Sequence, residues 1–330
     1  LGIGINNGYV PGAGVQEMSL VADLAARHDV PTFTHIQFMS NIDPQSSQEA
    51  YLRLIAYAAT SGAHMHICHL NSTSLRDIER CAHLISVAQA HGLRVTVEAY
   101  PYGAASTVVG AAFLAHPCYC QRTGASWSDI VLNATGEAVR DEAELRQVQE
   151  DEPGQPIIWH FLSPETDPED QRLLDLSVTY PGGAIASDAM PWEQPGHVLV
   201  EGDVWPLPGN AVAHPRSAGT FARFFSQYVT RRRLITLSDA VAKCSLIPAQ
   251  ILSTAAESMS RKGRLQEGAD ADVTVFNLEE FEDRATFSEP TRPSAGVVHL
   301  LVGGQPLIRD GILDTAVRPG RPVRGSGRNR

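Results

Sequence analysis

At 330 residues, 43% hydrophobic and 19% charged, the chain is long enough for one large α/β domain and a smaller one. A formal net charge of −11 with a pI near 5.5 disfavours nucleic acid or an anionic membrane as a partner, and no apolar run is long enough to span a bilayer. Five cysteines, an odd number at scattered spacing, read as reduced thiols rather than a disulfide framework, which makes the cytoplasm the default compartment.

The chain opens on "LGIGINNGYVPG", without a Met, like the end of a buried strand running into a loop. An upstream segment, and any targeting signal in it, is therefore expected to lie outside this sequence. Four segments then share one grammar: an amphipathic helix, a turn rich in Gly, Pro or Asp, and a short apolar run ending in a polar residue. They are "LVADLAARHDVPTFTH", "LIAYAATSGAHMHICH", "LISVAQAHGLRVTVEAY" and "LLDLSVTYPGGAIASD". Helices alternating with short buried strands predict βα units and a parallel sheet. His35, His69, Tyr100 and Asp188 end these runs, where a TIM-type barrel keeps its chemistry. Between Tyr100 and Asp188 lie a further candidate strand, "PIIWHF", and an insertion.

"HMHICHL" places three histidines between residues 64 and 69. Strict alternation groups His69 with Met65 and Ile67, and His64 and His66 with Cys68, so the three do not converge. Position at the strand's C-terminal end, matching His35 in "TFTH", selects His69. His64 and His66 read as helix-facing or satisfied polar residues, and Cys68 as a small buried residue. Near residue 260 the chain turns to short β-rich runs with Gly turns. Residues 1–258 are thus expected to form the barrel, and 259–330 a small β domain ending in a basic, frayed tail, "RPGRPVRGSGRNR".

Two imidazoles and a carboxylate at three strand ends suit zinc, with the carboxylate as ligand, base or both. Zinc lowers the pKa of bound water to about 7, and Asp188 can take a proton and return it to a leaving amine.

"GYVPG", "THIQ", "CHLN", "EAYPYGAAST", "IASDAMPW", "HPRSAGTFARF" and "KGRLQEGADADVTVF" follow one another in a characteristic order. The series resembles the N-acyl-D-amino-acid deacylases (D-aminoacylases) of the amidohydrolase superfamily, nearest to the D-glutamate deacylases, over nearly the whole chain. The resemblance implies an α/β fold: a TIM-type metal-dependent hydrolase barrel from about its fourth strand onward, with the C-terminal part of a small β-sandwich. It implies His35 and His69 as ligands of a tight zinc, and Asp188 as catalytic acid/base and ligand of a weaker second metal. The substrate is then a small N-acyl-D-amino acid, held by Tyr9, Tyr100, Ser106 and Arg216, with Asn71 contributing to its recognition. A guanidinium grips a carboxylate with two hydrogen bonds, and hydroxyls fix the same group or polarise the carbonyl. Each has a plainer reading beside it. Tyr9 and Tyr100 also read as core residues, Ser106 as a helix cap, and Arg216 as the partner of a structural carboxylate. His214 reads as structural.

Departures from the pattern are Gln37 and Asn71, where relatives carry Arg and Lys, and a long stretch between Asp188 and Arg216 that reads as a lid or a structural excursion. The first-strand H-x-H and the Cys ligand of the family are absent, which predicts about half a metal site. A cyclic-amide hydrolase, or a catalytically incomplete fragment, stands as the alternative.

Overall fold

In a computed structural model, which describes residues 1–10, 12–196 and 198–326, the helix-then-strand grammar becomes a parallel sheet. β1 (Ile3–Asn6) leads through α1 (Val15–His28) to β2 (Thr32–His35), and α2 (Ser47–Ser61) leads to β3 (Met65–Ile67). Short α3 (Leu70–Ser74) and longer α4 (Ile78–Ala90) precede β4 (Val95–Ala99). These four strands pair in chain order, all parallel, with Thr34 opposite Ile67 and Ile67 opposite Val97.

The local chemistry explains the helix ends. Ser46 caps α2 by accepting from the Glu49 N–H at 3.2 Å, and Gly62 ends the helix at φ 74°, its N–H donating to the Ala58 carbonyl at 2.9 Å. A glycine takes that left-handed conformation without a Cβ penalty. Met65, Ile67, Val95 and Val97 form one core with Tyr51, Leu54, Cys81 and Ile85 of the covering helices. Each such buried apolar side chain contributes about 1.5–3 kcal/mol. The alternate residues of the same strands face the other side of the sheet, where the polar groups collect.

After β4 the chain leaves the sheet. β5 (Ala104–Val108), α5 (Tyr119–Thr123), β6 (Ile130–Leu132), α6 (Glu142–Asp151) and β7 (Pro156–His160) build an excursion whose strands pair antiparallel in the order β5-β7-β6. "PIIWHF" is therefore a strand, as expected, but it belongs to this second sheet and not to the parallel one. α7 (Pro168–Thr179), capped by Asp167, returns the chain to β8 (Ala184–Ile185), which pairs parallel with β4. Among the described residues the parallel sheet is an open arc of five strands, with β1 and β8 at its edges.

A short hairpin, β9 (Glu193–Gln194) with β10 (Val198–Leu199), occupies the stretch read as lid or excursion, and α8 (Arg216–Phe224) follows. Beyond α9 (Leu237–Cys244) and α10 (Leu246–Leu252) comes a separate antiparallel sheet of β11 (Val273–Phe276), β12 (Val297–Val302), β13 (Gln305–Arg309) and β14 (Ile312–Leu313). Phe225 packs against Phe276 and Phe281 to join it to the helices, at ring-centroid distances of 5.5 and 5.4 Å. Of the tail expected to fray, Ser326 donates from its N–H to the Ala255 carbonyl at 2.8 Å, and residues 327–330 lie outside those described. No helix among the described residues is long and apolar enough to cross a membrane.

Candidate active site

His35 ends β2, and its Nδ1 lies 2.8 Å from Nε2 of His69. His69 follows β3 at φ 40°, ψ 71°, in the left-handed region that non-glycine residues seldom enter. Strict alternation would leave its ring with Met65 and Ile67, among the helices. The left-handed turn resets the direction and carries the ring to His35. Position at the strand end pointed to the histidine that the structure sets beside His35, although the face assigned by alternation does not hold. Ser72, three residues on, places its hydroxyl 2.9 Å from His69 Nδ1 and so orients the ring with Nε2 toward His35.

The other two histidines call for a correction. His66 lies in register with Phe33 and Thr96, on the face that His35 shares, and its ring meets that of Phe33 at 5.2 Å. It does not face the helices. His64 Nε2 lies 2.7 Å and His66 Nδ1 2.9 Å from the Thr96 hydroxyl, and His66 Nε2 lies 3.2 Å from Glu98 Oε2. Both are satisfied polar residues, as the plainer reading had it, set lower along the strands than His35. Glu98 is the functional candidate that the sequence reading passed over. Burial raises its carboxyl pKa, but the His66 hydrogen bond and the nearby His66, His69 and His35 outweigh this and lower it overall. Its signal was present in "TVEAY", two residues after Thr96 and therefore on the same face.

Asp188 follows β8 with its own positive φ of 48°. Its Oδ2 lies 2.8 Å from Arg216 Nη2, and the guanidinium stacks on the Tyr100 ring at 4.6 Å. Arg216 is fully buried, where an unpaired charge would be very costly, and Asp188 compensates it. His214 fixes the start of α8: its Nε2 reaches the Ala104 carbonyl at 3.0 Å and its Nδ1 accepts from the Arg216 N–H at 3.0 Å. That is the structural role expected of it.

A cleft of about 190 Å³ is lined by His35, His69, Asp188, Tyr9, Ser106 and Trp159, among others. The Tyr9 hydroxyl lies 2.9 Å from that of Thr107. Ser106 sits in β5, not at a helix start, so it caps nothing, and its buried hydroxyl has no partner among the described residues. The Tyr100 hydroxyl is likewise buried without a partner. Asn71 behaves differently from expectation. Its amide donates to the Tyr100 and Tyr102 carbonyls at 2.9 and 3.1 Å, bracing the "YPY" turn, and it does not line the cleft. Met190 is the one residue of the stretch after Asp188 that reaches the cleft wall among those described.

Burial, and then the neighbouring His69, lower the His35 pKa to about 4, and burial lowers that of His69. Neutral imidazole is the form that ligates a metal. The facing nitrogens fit a zinc site as two of its usual three or four protein donors. Among the described residues no group of three or more His, Cys, Asp and Glu side chains gathers closely enough to hold an ion.

A model of the amidohydrolase family matches residues 70–308, well over half of the chain. The chain belongs to the amidohydrolase family. Among its relatives, the N-acyl-D-glutamate deacylase of Alcaligenes xylosoxydans xylosoxydans is 42% identical over 118 residues, covering 36% of this chain and 23% of the relative. The N-acyl-D-aspartate deacylase of the same organism is 28% identical over 237 residues, covering 69% and 40%. A solved N-acyl-D-glutamate deacylase from Bordetella bronchiseptica, complexed with zinc and a phosphonate mimic of the tetrahedral intermediate, superposes with a TM-score of 0.71 at 25% identity. That match covers 94% of this chain and 60% of the relative. A D-aminoacylase structure gives 0.72 at 22% identity, covering 98% and 62%, a likeness of fold. This amidohydrolase chain therefore spans about three fifths of the solved relatives it matches, and the partial parallel barrel with its separate β sheet is the part they share.

Proposed function

We propose that this amidohydrolase chain carries the zinc-binding histidines and the proton-transfer carboxylate of an N-acyl-D-amino-acid deacylase. The reaction is hydrolysis of the linear amide to a free D-amino acid and a carboxylate. The observation that carries the reading is the meeting of His35 and His69 at 2.8 Å in a cleft that Asp188 also lines. The named relatives, all deacylases of acylated D-amino acids or D-aminoacylases, supply the substrate class. On this reading residues 1–258 are the barrel portion and 259–330 the C-terminal part of a β-sandwich.

His35 and His69 would hold the zinc, with Ser72 orienting His69. Zinc, when bound, supplies Lewis-acid polarisation and a water of lowered pKa. Asp188 accepts the proton of the attacking water and delivers it to the departing amine nitrogen. Arg216, stacked on the Tyr100 ring and paired with Asp188 behind the cleft wall, would meet the substrate carboxylate beside Asp188. The unpartnered hydroxyls of Ser106 and Tyr100 and the hydroxyl of Tyr9 complete the polar set.

The test is hydrolysis of N-acetyl-D-amino acids by the zinc-supplied protein and its Asp188→Asn variant. Turnover should fall at least about 100-fold, the low end of what a positioned acid/base contributes, while zinc content is unchanged. Near-normal rates in the variant would remove Asp188 from the mechanism.

A further inference from the structure

Three consecutive carbonyls in the turn after β4 each accept a side-chain donor. Asn71 holds those of Tyr100 and Tyr102, and Arg223 Nε donates to that of Pro101 at 2.9 Å. The Arg223 guanidinium also lies over the Tyr102 ring, 4.7 Å from its centroid. Seven residues earlier on α8, Arg216 lies over the Tyr100 ring at 4.6 Å. Residues three and seven apart share one face of a helix, and Gly219 stands between the two arginines on that face. A Cβ at Gly219 would come within 2.7 Å of the Tyr102 hydroxyl, so glycine lets the turn press closely on the helix.

Arg223 is itself held from the C-terminal β region. Asp283, in the loop between β11 and β12, accepts from its Nη1 and from the Ser226 hydroxyl, each at 3.4 Å. The same loop reaches the start of α8, where the Ser294 hydroxyl donates to the Ala218 carbonyl at 2.9 Å. The other nearby acid, Glu165, is mostly exposed and lies 3.9 Å from Arg223. Arg216 has less to hold it. Apart from Asp188 and the Tyr100 ring, its Nε and Nη1 find no hydrogen-bond partner among the described residues. Its position is therefore set by where α8 and the turn place it.

We infer that Arg223 is a positioning residue: it locks α8 in register on the Tyr100–Tyr102 turn and so sets Arg216 for the substrate carboxylate. Asp283 holds Arg223 in that role, so a loop of the C-terminal β region tunes recognition in the cleft. The inference rests on the deacylase reading above, in which Arg216 meets that carboxylate. A guanidinium displaced by about 1 Å loses much of its hydrogen-bonded grip.

The experiment compares N-acetyl-D-alanine with N-acetyl-D-alaninamide, in which the carboxylate is replaced by a neutral amide, on the zinc-supplied protein. Acetate release and calorimetric affinity are measured in parallel. The wild type should favour the acid about 10- to 100-fold in kcat/KM, the worth of a charge-assisted hydrogen bond. Arg223→Met should cut that ratio about 3- to 10-fold with zinc content unchanged, and Arg216→Met should abolish it. The double variant should lose nothing beyond Arg216→Met alone, because Arg223 acts through Arg216. A general loosening of the fold lowers both compounds alike and leaves the ratio where it was. Asp283→Asn, which keeps the side chain's shape, decides the matter where Arg223→Met fails to fold, and should cut the ratio about 2- to 3-fold. Hydrolysis without an acid preference, or a preference that survives both the Arg223 and Asp283 variants, overturns the positioning role and leaves the deacylase reading standing. An acid preference in affinity that Arg223→Met lowers, without any hydrolysis, keeps the positioning role and overturns the deacylase reading. Neither hydrolysis nor preferential binding of the acid overturns both.

Discussion

His69 and Asp188 both occupy the left-handed region, at φ 40° and 48°, directly after strands of the parallel sheet. Backbone strain of this kind costs about 1–3 kcal/mol per residue and persists where the surrounding structure enforces it, often at functional sites. For His69 it turns inward a side chain that strict alternation would leave among the helices. The Ser72 hydroxyl holds His69 in its rotamer, so Ser72→Ala should weaken zinc binding about 10- to 100-fold, as measured by competition with a chromophoric chelator. An unchanged affinity would mean that Ser72 does not orient the ligand. His64 gives a separate, pH-dependent expectation. Burial, then Arg94 and His66, lower its pKa from 6.5 to about 4. The folded protein therefore holds fewer protons than the unfolded chain between those values, and the stability present above pH 6.5 is lost as pH falls toward 4. Between pH 7 and pH 5 this amounts to about 2 kcal/mol. Urea unfolding at the two pH values should show a loss in the wild type that is smaller by about that amount in His64→Gln.

At the scale of elements, the helix–strand rhythm was legible because each βα unit states its own ends: an amphipathic stretch, a Gly or Asp turn, then an apolar run. Ser46 and Gly62 bracket α2 by local chemistry alone. The sheet to which a strand belongs was not legible. "PIIWHF" has the composition of a buried parallel strand, yet β7 is buried between β5 and β6 in an antiparallel excursion, a pairing decided by distant partners rather than by its own residues. For the same reason Ser106 could be read as a helix cap until Ala104–Val108 proved to be a strand. The joint between α7 and the segment after α3 rests on Asp170, which is 1% exposed, accepts from both Arg76 guanidinium nitrogens and takes the Ser163 N–H at 2.8 Å. Arg76 is 42% exposed at its side chain and can rehydrate, so the loss on Asp170→Asn should be that of the charged hydrogen bonds, about 1–3 kcal/mol. Thermal unfolding should register it as a lower Tm, and an unchanged Tm would show the joint to be dispensable.

Across the whole molecule, the helix–strand rhythm predicted an α/β fold with a β-rich C-terminal region, and the parallel arc and the separate antiparallel sheet answer that description. The cleft forms where the arc's C-terminal ends meet the excursion: His35, His69 and Asp188 come from the first, and Ser106, Thr107 and Trp159 from the second. Sequence order conveyed which residues stand at strand ends. It did not convey that Asn71 braces a turn or that Glu98 sits beneath the histidines, because each depends on contacts between segments far apart in the chain. The central claim is that His35 and His69 together ligate zinc. X-ray absorption at the zinc edge of the metal-supplied protein tests it most directly. The account predicts two imidazole nitrogens at about 2.0–2.1 Å, with their scattering lost in His35→Ala/His69→Ala. An unaltered histidine signal in that double variant would contradict it.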